Sequence, residues 1–196
     1  ISIDTTKAGV AEQAIKAGAS MINDVSSLSF DPKMAKVAVD YGVPVILMHM
    51  LGSPKSMQIE PFYDDLIGEI KTFFENAIDQ AENKGISRLK IIIDPGIGFG
   101  KTVGHNLLLI NHLHEFKTLK VPIMIGTSRK AFIRNLLKDN TVEEINADSA
   151  MVESGTQASV AAAILNGAHI VRVHDVANTR VTVKITDAIK NAQNFL

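Results

Sequence analysis

The chain has 196 residues, 46% hydrophobic and 21% charged, a balance that suits a globular protein with a sizeable core and, at this length, one domain over 1–196. Lys and Arg number 20 against 21 Asp and Glu, a net charge of -1, so no global field favours nucleic acid or an anionic membrane. Cysteine is absent, which excludes disulfides and thiolate-ligated zinc or iron–sulfur sites.

The chain opens directly on an apolar run, Ile1–Ile3, with no basic–apolar–small signal segment before it. Because Ile1 already reads as strand, a longer parent protein is expected. Further runs follow at Met21–Val25, Val43–Met48, Leu89–Ile93, Val121–Ile125 and His169–Val173. Each is apolar throughout rather than alternating, the pattern of parallel strands covered on both faces. None approaches the ~20 residues of a bilayer-spanning helix. Helices are expected between the runs. Asp31-Pro32 provides an N-cap followed by proline at the first helical position, and Gly42 closes that helix. Leu66, Ile67, Ile70, Phe73, Phe74, Ala77, Ile78 and Ala81 form a stripe at helical spacing. Thr141 and Glu144 have capping-box spacing ahead of a short extra helix. Gly18, Gly42, Gly85 and Gly167 each stand between a helix and the next strand, where a left-handed C-cap belongs.

Six β/α units therefore fill the 196 residues. Eight would need ~260, close to the ~250 of a (β/α)₈ TIM barrel, and a six-stranded open sheet would also suit the count. The polar residues separate the two. Asp4, Asn23 and Asp24, His49, Asp94, Ser128 to Lys130, and Arg172 to Asp175 all stand at C-terminal strand ends. A barrel gathers those ends at one mouth, whereas an open sheet uses mainly its switch point. The expected fold is an α/β barrel with six units present and the first two missing from this chain.

Asp94-Pro95-Gly96-Ile97-Gly98-Phe99-Gly100-Lys101-Thr102 is the most distinctive stretch. Gly100-Lys101-Thr102 is similar to the end of a P-loop, but Pro95 stands where that loop needs glycine. The glycines do not fit a dinucleotide fingerprint either. Asp94 ends a wholly apolar strand, so its carboxylate should be desolvated and need a partner. A heterocycle presenting adjacent N–H donors would supply one. Arg172 and His174 flank Val173 and so share one face of the last strand. With Ser128-Arg129-Lys130 on the preceding unit, they favour an anionic phosphate or diphosphate group. The six histidines do not have metal-site spacing. His112 and His114 should point in different directions on a helix, His105 should lie near a helix start, and His49 is a core or mouth residue.

Taken together, Ser2-Ile3-Asp4-Thr5, Ile22-Asn23-Asp24-Val25, Leu47-Met48-His49-Met50, the stretch from Asp94 to Thr102, Gly126-Thr127-Ser128-Arg129-Lys130 and the segment Asn166 to Asp175 resemble the bacterial dihydropteroate synthases. The resemblance runs from Ile1 to about Val176. It implies a cytoplasmic, magnesium-dependent, homodimeric transferase of folate biosynthesis, the sulfonamide target. Such an enzyme joins p-aminobenzoate to dihydropterin diphosphate and releases pyrophosphate. By that resemblance Asp94 and Asn23 bond the pterin's donor edge, Asp4 lies at the back of the pocket and Met48 lines it. Lys130 bonds the ring near its carbonyl. Arg172 stacks on the ring and holds the diphosphate with His174. Phe99, Ser128, Arg129 and Lys130 border the p-aminobenzoate site, and catalysis falls to Asp94, Lys130 and Arg172. Ala131 stands where the family often has serine. The family's metal-holding asparagine belongs to the first strand, which lies outside this chain, so no metal ligand is expected here.

Two other readings are a pterin-dependent methyltransferase of the methyltetrahydrofolate–corrinoid type and a non-catalytic remnant that binds pterin. The first has no use for a diphosphate site. The second does not need Asp94, Lys130 and Arg172.

Overall fold

Among the described residues, six parallel strands run in chain order: β1 Ser2–Asp4, β2 Met21–Asp24, β3 Val45–Met48, β4 Ile91–Asp94, β5 Met124–Ile125 and β6 Ile170–Val171. The helices are α1 Ala8–Lys16, α2 Met34–Tyr41, α3 Leu66–Asn83, α4 Val103–Asn111, α5 Ala131–Leu137, α6 Ala150–Leu165 and α7 Val176–Lys190. The structure, a computed structural model, describes residues 1–52, 57, 60–138 and 144–195.

The first four strands pair in the order β1-β2-β3-β4 and the last two pair with each other. A parallel bridge between Ile93 and Ile123 joins the two groups, so each strand neighbours the next in sequence. This order never reverses. A doubly wound sheet would need a switch point, whereas a barrel winds on in one direction. The arc is that of six β/α units of a TIM barrel, and no pairing between β1 and β6 closes it among the described residues.

The apolar strands are buried on both faces. Ile22, Val45, Leu47, Ile91, Ile93, Ile123 and Ile125 pack outward against the helices, including Phe74, Ile78 and Phe116. Ile46, Ile92 and Met124 form a smaller inner cluster, with Met21 and Ile170 packed against it. Burying one such side chain stabilises the fold by about 1.5–3 kcal/mol, which fixes strand register because a one-residue slip would exchange the two faces.

The anticipated stripe on α3 faces the core through Leu66, Ile70, Phe74, Ile78 and Ala81, and Asp65 caps the helix by accepting from the Gly68 N–H. Gly42 adopts the left-handed conformation after α2. Several boundaries differ from expectation. Leu89 is 93% exposed and belongs to a 3₁₀ turn, Arg88–Lys90, before β4. Helix α2 begins after Lys33, and the Asp31 carboxylate accepts from the Lys33 N–H with one oxygen and from the Ala8 N–H with the other. Strand β2 stops before Val25 because the Asp24 carboxylate accepts from Ser26 N, Ser26 Oγ and Leu28 N, which turns the chain. Thr141 lies outside the described residues, and the residues from Glu144 to Ser149 are not helical. His112 and His114 approach each other, ring centroids 6.1 Å apart, because the regular helix ends at Asn111 and a 3₁₀ segment follows.

Candidate active site

Alternation along the strands builds the site. Two residues beyond the inner apolar layer, on the same face, stand Asn23 after Met21, Met48 after Ile46, Asp94 after Ile92 and Arg172 after Ile170. Register places Asp4 opposite Asn23 and Met48 opposite Asp94. The corresponding position on the fifth unit is Gly126, and a Cβ there would lie 3.2 Å from Arg172 Nη2. Glycine thus leaves the guanidinium room against the backbone.

Asp94 is 2% exposed, and its Oδ1 accepts from the Gly96 N–H at 2.8 Å. Burial pushes its carboxyl above the usual carboxylate range, offset partly by the Gly96 N–H and by the positive charges of Arg172, Lys130 and Lys101. Asn23 is 3% exposed and donates from Nδ2 to Asp4 Oδ2 at 2.9 Å. Asp4 itself is exposed, because β1 is the edge of its sheet. Lys130 is half-buried, and its ammonium lies 4.4 Å from the centroid of the Phe99 ring. Burial and the neighbouring Arg172 charge lower its pKa, and Asp94 opposes them.

Strand β6 ends at Val171, so Arg172 and His174 lie just past it. The Arg172 N–H still donates to Ile125 O at 2.9 Å, which keeps the extended course. Gly126, Ser128, Arg129, Lys130, Arg172, Val173 and His174 line a cavity of 450 Å³. Ser128 Oγ lies 2.9 Å from His174 Nδ1 and accepts from the His174 N–H at 3.2 Å, so this hydroxyl orients the imidazole. The Arg129 guanidinium pairs with Asp148 and lies 3.9 Å from Glu153. Its backbone takes a left-handed φ of 58°, held by an N–H bond to Thr156 Oγ1 at 3.1 Å. Contacts from α6 and the residues just before it thus secure the turn that presents Ser128 and Lys130.

Three residues to which the sequence assigned no ligand role support the floor of the site. Lys101 is 4% and His49 6% exposed. The Lys101 ammonium donates to Phe99 O at 3.0 Å and lies 3.0 Å from His49 Nδ1. Tyr63 donates its hydroxyl to Gly100 O at 2.9 Å. The signal for Lys101 was its place directly after the glycine-rich run.

A buried carboxylate and a buried amide at the C-terminal ends of parallel strands, with the charges of Arg172, Lys130 and Lys101 acting on the carboxylate, define a TIM-barrel protein with a polar, basic site at its strand ends. The chain belongs to the pterin-binding enzyme family: the family model described as "Pterin binding enzyme" matches residues 1–174. It is 44% identical to the dihydropteroate synthase of Synechocystis sp. over 96% of this chain and 63% of that protein's length. Among solved structures it is similar to Yersinia pestis dihydropteroate synthase in complex with a sulfonamide drug. That match has TM-score 0.90 and 39% identity, and covers 97% of this chain and 66% of the other. A second, the Xanthomonas albilineans enzyme with 7,8-dihydropteroate, gives TM-score 0.84 and 37% identity, covering 97% and 68%. The chain therefore spans slightly under two thirds of the Synechocystis relative. No helix among the described residues is long and apolar enough to cross a membrane.

Proposed function

We propose that this chain carries the pterin and diphosphate sites of a dihydropteroate synthase, with residues 1–196 forming one domain of it. The observation that carries the reading is the buried, under-bonded Asp94 carboxylate on the same inner face as Arg172 of the basic cavity. In this reading Asp94 and Asn23 Oδ1 accept N–H donors from the pterin, beside Met48 and Asp4, and Lys130 donates to the ring's carbonyl side. Arg172 and His174 hold the diphosphate.

The C–O bond between the pterin methylene and the diphosphate breaks, and its electron pair leaves with pyrophosphate. The amine nitrogen of p-aminobenzoate then forms the new C–N bond and loses a proton to solvent. Cations around the departing group stabilise its charge in place, so catalysis is positioning and electrostatics without a protein nucleophile. Phe99, Ser128, Arg129 and Lys130 border the second substrate. For Ser128 and Arg129 this is through the turn they form, since their side chains already serve His174, Asp148 and Glu153.

Magnesium and a cytoplasmic location belong to the same reading. The described residues contain no cluster of three or more His, Asp or Glu that could hold a metal, so they do not by themselves fit the ion. A homodimer also belongs to the reading. The exposed Leu107 and Leu136, which line a 370 Å³ apolar groove between α4, α5 and α6, provide a surface for it. The basic cavity has no use in corrinoid methyl transfer.

Asp94→Asn in the full-length protein tests the reading. It presents a donor where the ligand also has donors, and losing the charge-assisted pair should cost about 1.5–3 kcal/mol of pterin affinity. Dihydropteroate formation by the wild type, with pterin affinity lost in the variant, supports the assignment. Unchanged calorimetric affinity in a folded variant overturns it.

A further inference from the structure

The Lys101–His49 pair lies behind the site, and among the residues assigned to substrate it bonds the backbone carbonyls of Phe99 and Asp94. We propose that Lys101 is a positioning residue for the p-aminobenzoate end of the site: bonded to the Phe99 carbonyl and to His49, it holds the Phe99 ring against the Lys130 ammonium. The proposal rests on the functional reading above only for the identity of the second substrate.

The geometry forms a chain of fixed contacts. Directly after β3 stands His49, whose N–H donates to Asp94 O at 2.9 Å, so His49 is anchored to the pterin carboxylate's own backbone. Its ring is wedged edge-on against Phe73, centroids 4.9 Å apart, and sits 6.1 Å from Tyr63. The glycine-rich loop folds back over this point so closely that a Cβ on Gly96 would lie 2.0 Å from His49 O. Lys101 then ties the loop down, with one N–H to Phe99 O at 3.0 Å and one contact to His49 Nδ1 at 3.0 Å. Tyr63 holds the next carbonyl, that of Gly100, at 2.9 Å. Phe99 lies between Gly98 and Gly100, two residues with positive φ. Its N–H donates to Gly96 O at 3.0 Å and the Gly98 N–H to Asn106 Oδ1 at 2.8 Å, and the Lys101 bond fixes the Phe99 carbonyl. Burial lowers the His49 pKa to about 3, which keeps the imidazole neutral and lets Nδ1 accept. Burial likewise lowers Lys101 to about 7, with the Asp94 charge opposing.

A small displacement of Phe99 would alter both the wall of the second-substrate site and the ammonium resting on the ring. Pterin contacts through Asp94 and Asn23 would be spared. The proteins to compare, each full-length, are wild type, Lys101→Met, His49→Gln and His49→Leu. In the ligand-free wild type, the ring current of Phe99 should shift the Lys130 ε-methylene NMR signals upfield. Lys101→Met and His49→Leu should lose that shift, whereas His49→Gln, which keeps an acceptor, should retain it.

In kinetics, Lys101→Met should raise KM for p-aminobenzoate roughly tenfold, with pterin diphosphate affinity held within about twofold. Lys130 signals that keep the wild-type upfield shift in Lys101→Met, or equal losses for both ligands, would overturn the proposal. If the wild type makes no dihydropteroate, the functional reading fails and the NMR comparison still decides the positioning role. If Lys101→Met does not fold, the two His49 variants decide it.

Discussion

Asn23 gives its amide N–H to Asp4 Oδ2 at 2.9 Å and keeps its own Oδ1 buried without a protein partner. A buried acceptor left unpaired costs about 1–3 kcal/mol, and a ligand N–H arriving there recovers it. Asn23→Ala should therefore leave the folding free energy within about 1 kcal/mol of wild type while weakening pterin roughly tenfold. Chemical denaturation and calorimetry on the same preparation check this. Strong destabilisation with intact pterin affinity would make Asn23 a purely structural residue.

Arg172 separates two roles, ring stacking and diphosphate binding. Its guanidinium lies on Gly126 and lines the basic cavity with His174 and Lys130. Arg172→Ala should weaken the pterin diphosphate at least about tenfold more than a pterin alcohol lacking phosphates, since a charge-assisted contact is worth about 1.5–3 kcal/mol. Equal losses for the two ligands would mean that Arg172 only stacks.

The buried imidazole of His49 makes stability depend on pH. Burial holds its pKa at about 3, against an ordinary 6.5, and the Lys101 charge adds to the effect. Between those values the unfolded chain binds a proton that the folded protein refuses, so this contribution is present above pH 6.5 and is lost as pH falls toward 3. By pH 4.5 the loss should amount to about 2–3 kcal/mol. His49→Gln, which has no such proton, should lose less stability than wild type on acidification from pH 7. Parallel denaturation curves for the two proteins would exclude the effect.

The 196 residues alone should behave poorly in solution. Strands β1 and β6 each pair on one side only among the described residues. Val181, Ile185 and Ile189 lie along one exposed side of α7. Unpaired edges and apolar stripes invite association. Light scattering on the purified chain should show oligomers or aggregate, with little dihydropteroate formed. A monodisperse monomer with the turnover of the full-length protein would refute this.

What the sequence determined by itself was burial and position along the strands. Apolar runs such as Val45–Met48 and Ile91–Ile93 required burial on both faces, and Asp94, Arg172 and their counterparts stood at the C-terminal strand ends that a barrel gathers at one mouth. The family resemblance was legible for the same reason, since short contiguous motifs at strand ends carry the ligand contacts.

Tertiary structure decided which side chains remain available to a ligand. Arg129, a p-aminobenzoate neighbour by motif, gives its guanidinium to Asp148 and Glu153, residues that lie 19 and 24 positions further along the chain. Ser128 is engaged by His174, 46 residues away. Lys101 faces inward to His49, 52 residues before it, rather than outward as a phosphate ligand. Local spacing sets the face on which a residue lies, but ion pairs and burial between distant segments set what its charge is used for. Those terms exist only once packing has brought the segments together and excluded water from between them.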